Sequence, residues 1–278
     1  MTSARHALFG IGLLSLLLGA CATTPYGAPV RPQTATAGAI PRTMDGYLTA
    51  AQIQALADAV PPPHPLGSPE AVADAALSDR YRAFENSDRW LLATAHAELG
   101  PDLARQHFDC ALGVRFAATP TPRLTALFQR LLHDANGAAE LAKTHDFRPR
   151  PVGVDAARAA CVRIDAAGRS SPSYPSGSAA VGTAYAEALA LIAPDRAADA
   201  RRIGHEIGIS RLVCAMHYPA DIGPGEAIGR AVVAEAASTT AFRDDILAAQ
   251  GELAQVRAFG LTNPGCVAAR AALAASLP

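Results

Sequence analysis

The sequence predicts an all-α fold, a single helical bundle domain running from about residue 46 to the C-terminus. Three observations carry this. Leu124, Leu127, Phe128, Leu131 and Leu132 fall at i, i+3, i+4, i+7 and i+8, one apolar stripe on one helical face. Val181, Ala184, Tyr185, Ala188, Leu189 and Ile192 repeat that pattern, and no segment alternates apolar and polar residues as a half-buried strand would. Alanine is abundant; it lets helices approach closely but gives each little area to bury, so many helices must share the core.

In chain order, residues 1–20 read as a targeting segment. Arg5 and His6 form a short basic region, and Leu8 through Leu18 form an apolar run too short to span a bilayer. Residues 21–45 are rich in Pro, Thr, Gly and Ala and read as a flexible tether. Tyr47–Val60 and Ala71–Leu99 carry helical patterning, separated by the break at Pro61-Pro62-Pro63 and Pro65. After the 124–132 stripe, Arg148–Pro151 is a second break, and Arg163–Pro175, rich in Gly, Ser and Pro, is a loop. Asp199–Met216 and Phe242–Phe259 are helical again.

The 278 residues are enough for one domain with a substantial core. With 24 Lys+Arg against 25 Asp+Glu the formal charge is −1, so nothing points to nucleic acid. Lys143 is the only lysine in an otherwise arginine-based set. Ammonium is a compact donor and guanidinium a planar fork, so a lone lysine among arginines marks a position with its own chemistry. The sequence contains no Cys-x-x-Cys or His-x-x-x-His pair, and so offers no metal or cofactor site. A homo-oligomer stays open.

Chemistry concentrates in three stretches. Lys143 is followed after six residues by Arg150-Pro151; Pro175-Ser176-Gly177-Ser178 comes next; Ser210-Arg211 is followed after five residues by His217 and after three more by Asp221. Lys143, Arg150 and Arg211 are cations suited to phosphate, the arginines as bidentate donors and the lysine as a point charge. Ser176 and Gly177 precede a helical stripe, so their amides either cradle an anion at a helix N-terminus or belong to a simple cap made by Ser176 or Ser178. Pro219 pushes Tyr218 out of helical geometry, so His217 ends one helix and Asp221 opens the next, with Pro224 in its first turn.

These stretches resemble the signature of the bacterial class A acid phosphatases, in the superfamily shared with type 2 phosphatidic acid phosphatases and vanadium haloperoxidases. The family pattern is Lys-x6-Arg-Pro, Pro-Ser-Gly-His and Ser-Arg-x5-His-x3-Asp. The Pro-rich entry, the segment before Lys143 and the tail through Ala241-Phe242 also follow the family's order. The resemblance implies a helical bundle, small phosphate monoesters as substrates, His217 as a nucleophile that becomes a phosphohistidine, and Asp221 as the acceptor that fixes its tautomer. It also implies a catalytic acid at position 178, where this chain has Ser178 instead of His. A serine hydroxyl is far too weak an acid for that task, and general acid help is worth about 10²–10⁴ in rate. His145 and His205 are the two candidate substitutes. Two alternatives follow: a phosphate-binding envelope lipoprotein that has lost turnover, and a vanadate-dependent haloperoxidase.

Leu18-Gly19-Ala20-Cys21 resembles the lipobox of bacterial lipoproteins, which implies cleavage before Cys21, acylation of its thiol and, with Ala22 following, the periplasmic face of the outer membrane. The alternative is an ordinary signal peptide and a soluble periplasmic protein. In an exported chain Cys110, Cys161, Cys214 and Cys266 are an even set suited to disulfides, although Cys214 would serve equally as a free core thiol.

Overall fold

The computed structural model describes residues 45–278. The leader, the tether and Cys21 lie outside the described residues. Among those described, nine helices have eight or more residues: α1 (Ala50–Asp58), α2 (Pro69–Arg80), α3 (Asp88–His96), α4 (Pro122–Ala142), α5 (Gly177–Ile192), α6 (Ala197–Val213), α7 (Pro219–Ala236), α8 (Thr240–Ala258) and α9 (Cys266–Leu273). Strand-type pairing among the described residues is limited to one isolated antiparallel bridge, Pro149 with Pro172. The all-α expectation is met. No helix among the described residues is long and apolar enough to cross a membrane.

The centre is α5. It is apolar on nearly every side, the mark of an internal helix, and α4, α6, α7 and α8 pack around it. Tyr185 of α5 stacks on Phe128 of α4 with ring centroids 3.9 Å apart, and its hydroxyl donates to the Leu99 carbonyl at 2.9 Å. Side chains at Gly225 and Gly229 of α7 would collide with the Ser176 and Ala180 carbonyls. Glycine at these two places lets α7 lie directly against the first turns of α5, and that contact sets the spacing of the site.

Several boundaries differ from the sequence expectation. The Ala71–Leu99 segment is two helices, because Asn86 adopts φ 61° and Ser87 then caps α3 by accepting the Trp90 amide. The Arg163–Pro175 loop contains one helical turn, Ala166–Ser170, capped by Asp165. The periodic pattern did not foresee the short turns between Pro101 and Leu112, nor α9, since each is too short to show a stripe. Helix α7 begins at Pro219, so Asp221 is its third residue and Pro224 lies inside the helix, not in its first turn.

All four cysteines pair: Cys110 with Cys266, and Cys161 with Cys214. The free-thiol reading of Cys214 is therefore corrected. Cys161–Cys214 ties the loop after Arg150 to the end of α6, just before His217, and closing a chain segment of that length is worth roughly 4 kcal/mol in the chain-entropy account.

Candidate active site

The site is assembled where four chain ends meet: the C-terminus of α4, the 148–151 turn, the N-terminus of α5 and the α6–α7 junction. Lys143 caps α4, which places its side chain, 7 % exposed, inward. The Arg148–Pro151 turn is tied to the loop before α5 by the Ser173 amide donating to the Arg148 carbonyl at 2.8 Å, and by Arg150 Nε donating to Ser171 Oγ at 2.8 Å.

Helix α6 ends in a Schellman turn: the Met216 amide donates to the Arg211 carbonyl and the Ala215 amide to the Leu212 carbonyl, both at 3.0 Å. The left-handed residue that this turn needs is Ala215, at φ 56°. The left-handed conformation costs an L-residue roughly 1–2 kcal/mol, a cost glycine avoids. Ala215→Gly should therefore raise stability by about 1 kcal/mol without altering catalysis, as read from chemical denaturation and kcat/KM. A destabilised variant would contradict this reading of the turn.

The turn delivers His217 into the interior, where it is 3 % exposed. Arg150 Nη1 lies 3.2 Å from His217 Nε2 and donates to the Met216 carbonyl at 2.8 Å. A guanidinium can only donate, so Nε2 carries the lone pair and Nδ1 the proton. Nδ1 faces Asp221 Oδ2 at 3.4 Å, the orienting partner expected from the sequence. Burial, then Arg150, Lys143 and Arg211, hold the imidazole well below its ordinary titration range, so it stays neutral in acid.

Asp221 is itself held. Its Oδ2 accepts the Tyr218 amide at 2.9 Å and its Oδ1 accepts Arg148 Nη1 at 2.8 Å. The other arm of the Arg148 fork reaches Asp74 Oδ2 of α2, while Asp74 Oδ1 accepts the Ala220 amide at 3.0 Å. Arg148 also lies over the Tyr218 ring, 4.1 Å from its centroid. Sequence reasoning missed Arg148 and Asp74. Arg148 stood in a segment read only as a break, and nothing in the spacing shows that Asp74 points inward.

At the N-terminus of α5, Ser176 is the cap: its Oγ accepts the Ala179 amide at 3.2 Å. Its own amide donates to the Asp221 carbonyl at 3.0 Å, which removes it from the anion cradle and corrects the sequence expectation. The Gly177 and Ser178 amides have no partner among the described residues and sit at the positive end of the helix. Ser178 is partly exposed.

Arg211, 6 % exposed, has the largest set of unpaired buried donors among the described residues. Its Nε and Nη1 are buried without a hydrogen-bond partner among the described residues, and burial lowers its pKa to about 10. Leaving charged donors buried and unpaired costs several kcal/mol, and an anion is the chemistry that would offset it. Lys143 differs: its Nζ contacts Glu140 Oε1 at 2.5 Å, a pairing not foreseen although i, i+3 spacing on α4 allows it.

Residues 124–244 match the PAP2 superfamily. The chain is 32 % identical over 197 residues to an acid phosphatase of Zymomonas mobilis, covering 70 % of this chain and 74 % of that one. This chain belongs to the acid phosphatases of the PAP2 superfamily. It is also 28 % identical over 199 residues to a non-specific acid phosphatase of Providencia stuartii (71 % of this chain, 80 % of that one). A non-specific acid phosphatase of Salmonella typhimurium is 27 % identical over 195 residues, covering 70 % of this chain and 78 % of the relative.

The two histidines considered as substitutes for the acid make other pairings. His145 Nε2 is 3.4 Å from Asp58 Oδ1, and His205 Nδ1 is 2.6 Å from Glu226 Oε1 on the outer side of α6. Neither reaches position 178. Ser210 Oγ is held by Arg89 Nη1 at 2.9 Å and by His96 Nδ1 at 2.8 Å, so it anchors the base of the Arg211 turn.

Burial, then His107 and Arg89, lower the pKa of His96 to about 3. Between pH 6.5 and 3 the unfolded chain therefore binds a proton at this histidine that the folded protein excludes. Stability falls as pH drops through that window, by up to about 1.4 kcal/mol per unit. Denaturant unfolding should show a loss between pH 6.5 and 4.5 that His96→Asn reduces by about 2 kcal/mol. An unchanged pH dependence in the variant would contradict this.

Proposed function

We propose that this acid phosphatase family member hydrolyses small phosphate monoesters through a phosphohistidine on His217. The observation that carries the proposal is the buried Arg211 guanidinium, without a partner for Nε and Nη1 among the described residues, whose charge acts on His217 together with those of Arg150 and Lys143. Arg211, Arg150, Lys143 and the Gly177 and Ser178 amides would hold the equatorial phosphoryl oxygens, where charge accumulates in the transition state. Nε2 would attack phosphorus in line, while Asp221 stabilises the Nδ1 proton as the ring becomes cationic. Water would then attack the phosphohistidine and release inorganic phosphate. A neutral imidazole in acid suits an enzyme that works at low pH: in the free enzyme the acid limb of kcat/KM should fall below the ordinary histidine range.

Ser178 offers no acid to the leaving oxygen. Unless another group supplies the proton, alkyl esters lose most and activated aryl esters least. Purified protein should hydrolyse p-nitrophenyl phosphate, with orthovanadate and inorganic phosphate as competitive inhibitors. Absence of both turnover and vanadate inhibition would overturn the proposal. Ser178 alone favours the rival reading, a phosphate-binding protein without turnover; p-nitrophenyl phosphate hydrolysis that His217→Ala abolishes excludes it.

The proposal extends to location: export, with an acylated Cys21 at the periplasmic face of the outer membrane. Two disulfides support an oxidising compartment, since such bonds are rare where thiols are kept reduced. Palmitate labelling that Cys21→Ser abolishes is the expected result, and an unlabelled wild type would refute the anchor.

A further inference from the structure

Protonating an alkoxide as it leaves phosphorus needs an ionisable group at the open side of the phosphate cradle. The interior is closed: His217, Asp221, Ser176, Lys143, Arg150 and Arg211 are all buried. Of the residues around the cradle, Ser178 is partly exposed and Glu140 exposed, with 55 % of the Glu140 side chain open to solvent. These are points at which the cradle meets solvent, as is Ser171 beside Arg150, and Glu140 is the ionisable one of the three. Glu140 Oε1 touches Lys143 Nζ at 2.5 Å, and a methyl group built on Gly177 would lie 3.6 Å from that same oxygen. It would also lie 3.6 Å from Lys143 Nζ and 3.4 Å from Asn136 Oδ1, so the last turn of α4 presents its polar groups to the first turn of α5. The acid that faces the cradle from outside is thus a carboxyl, delivered by a different helix from the one carrying Ser178.

We propose that Glu140 is the catalytic acid of this enzyme, standing in for the ionisable group that position 178 lacks; this rests on the phosphatase reading above. In the first half-reaction the phosphorus–oxygen bond to the leaving group breaks, a bond forms between His217 Nε2 and phosphorus, and the Glu140 carboxyl proton passes to the departing oxygen. In the second, the Glu140 carboxylate takes a proton from water as the water oxygen attacks phosphorus. The nitrogen–phosphorus bond breaks, and neutral His217 and protonated Glu140 are restored. Solvent exposure lets the proton exchange between turnovers.

The test compares glycerol phosphate, a poor leaving group, with p-nitrophenyl phosphate, a good one, in wild type, Glu140→Gln, and Glu140→Gln combined with Ser178→His. Glu140→Gln should lower kcat/KM for glycerol phosphate by roughly 10²-fold or more and for p-nitrophenyl phosphate by less than about tenfold. Ser178→His should then restore most of the alkyl turnover in the Glu140→Gln background, because an imidazole acid at that position replaces the lost carboxyl. Equal losses on both esters would mean that Glu140 only holds Lys143, and would overturn the proposal. So would an unaffected alkyl turnover, or failure of Ser178→His to rescue it. A wild type that hydrolyses neither ester overturns the phosphatase reading itself, an outcome visible before any variant is made.

Discussion

Alanine in place of His217 should cut p-nitrophenyl phosphate turnover by at least roughly 10⁴-fold, the scale on which loss of a covalent nucleophile is felt. The fold should survive. The His217 side chain contacts Arg150, the Ser173 backbone and, at a longer distance, Asp221, and its backbone amide still closes on the Arg211 carbonyl at 3.4 Å. The phosphate cations are separate groups, so inorganic phosphate should continue to raise the melting temperature of the variant. Loss of turnover with retained phosphate stabilisation separates attack from binding. Retained turnover would remove His217 from the mechanism; loss of phosphate stabilisation would show that the imidazole is part of the binding site.

Removing Arg148 should have the largest effect on stability of any single change near the site. Its guanidinium joins two carboxylates, Asp74 and Asp221, with side-chain exposures of 4 %, 8 % and 0 % for the three residues. Arg148→Ala leaves two buried acids without their cation, a change worth about 3–5 kcal/mol. For a domain of this size that lowers Tm on the order of 10 °C. Activity should fall as well, because Asp221 loses the partner that fixes its carboxylate beside His217. Burial already pushes the Asp221 pKa up, with Arg148 as the main opposing influence. Without Arg148 the carboxyl would protonate more readily and stop accepting the Nδ1 proton. Arg148→Lys keeps the charge but not the two-armed fork, and should recover only part of both losses. Thermal melts and kcat/KM measured together decide the matter; a variant within a degree or two of wild type would show that the network is not what holds Asp221.

The helical class was legible because α4 and α5 carry stripes long enough to show the period. The core position of α5 was less so, since an Ala-rich helix that is apolar all round looks weakly patterned in sequence. Lys143, Arg150, Arg211, His217 and Asp221 come together at one meeting of chain ends, a grouping that the family resemblance implied and the spacing alone did not. Residues whose role depends on burial were not legible. Arg148 reads as one more arginine beside a proline, Asp74 as one more acid on a surface helix, and Ala215 gives no sign in sequence of a left-handed backbone. Glu140 was within reach, three residues before the lone lysine on the same helix. Ser176 shows the opposite failure: its amide was a candidate for the anion cradle, but it donates to the Asp221 carbonyl, which the close packing of α7 brings against the first turn of α5.

The central claim is that phosphate passes through His217. Wild-type protein mixed briefly with excess p-nitrophenyl phosphate and quenched in alkali, which preserves phosphoramidates, should yield on peptide mapping by mass spectrometry one phosphoryl group on the peptide containing His217. The His217→Ala protein should yield none. Phosphate found on Ser176 or Ser178, or turnover at full rate with no phosphorylated peptide under conditions that trap the intermediate, would contradict the account.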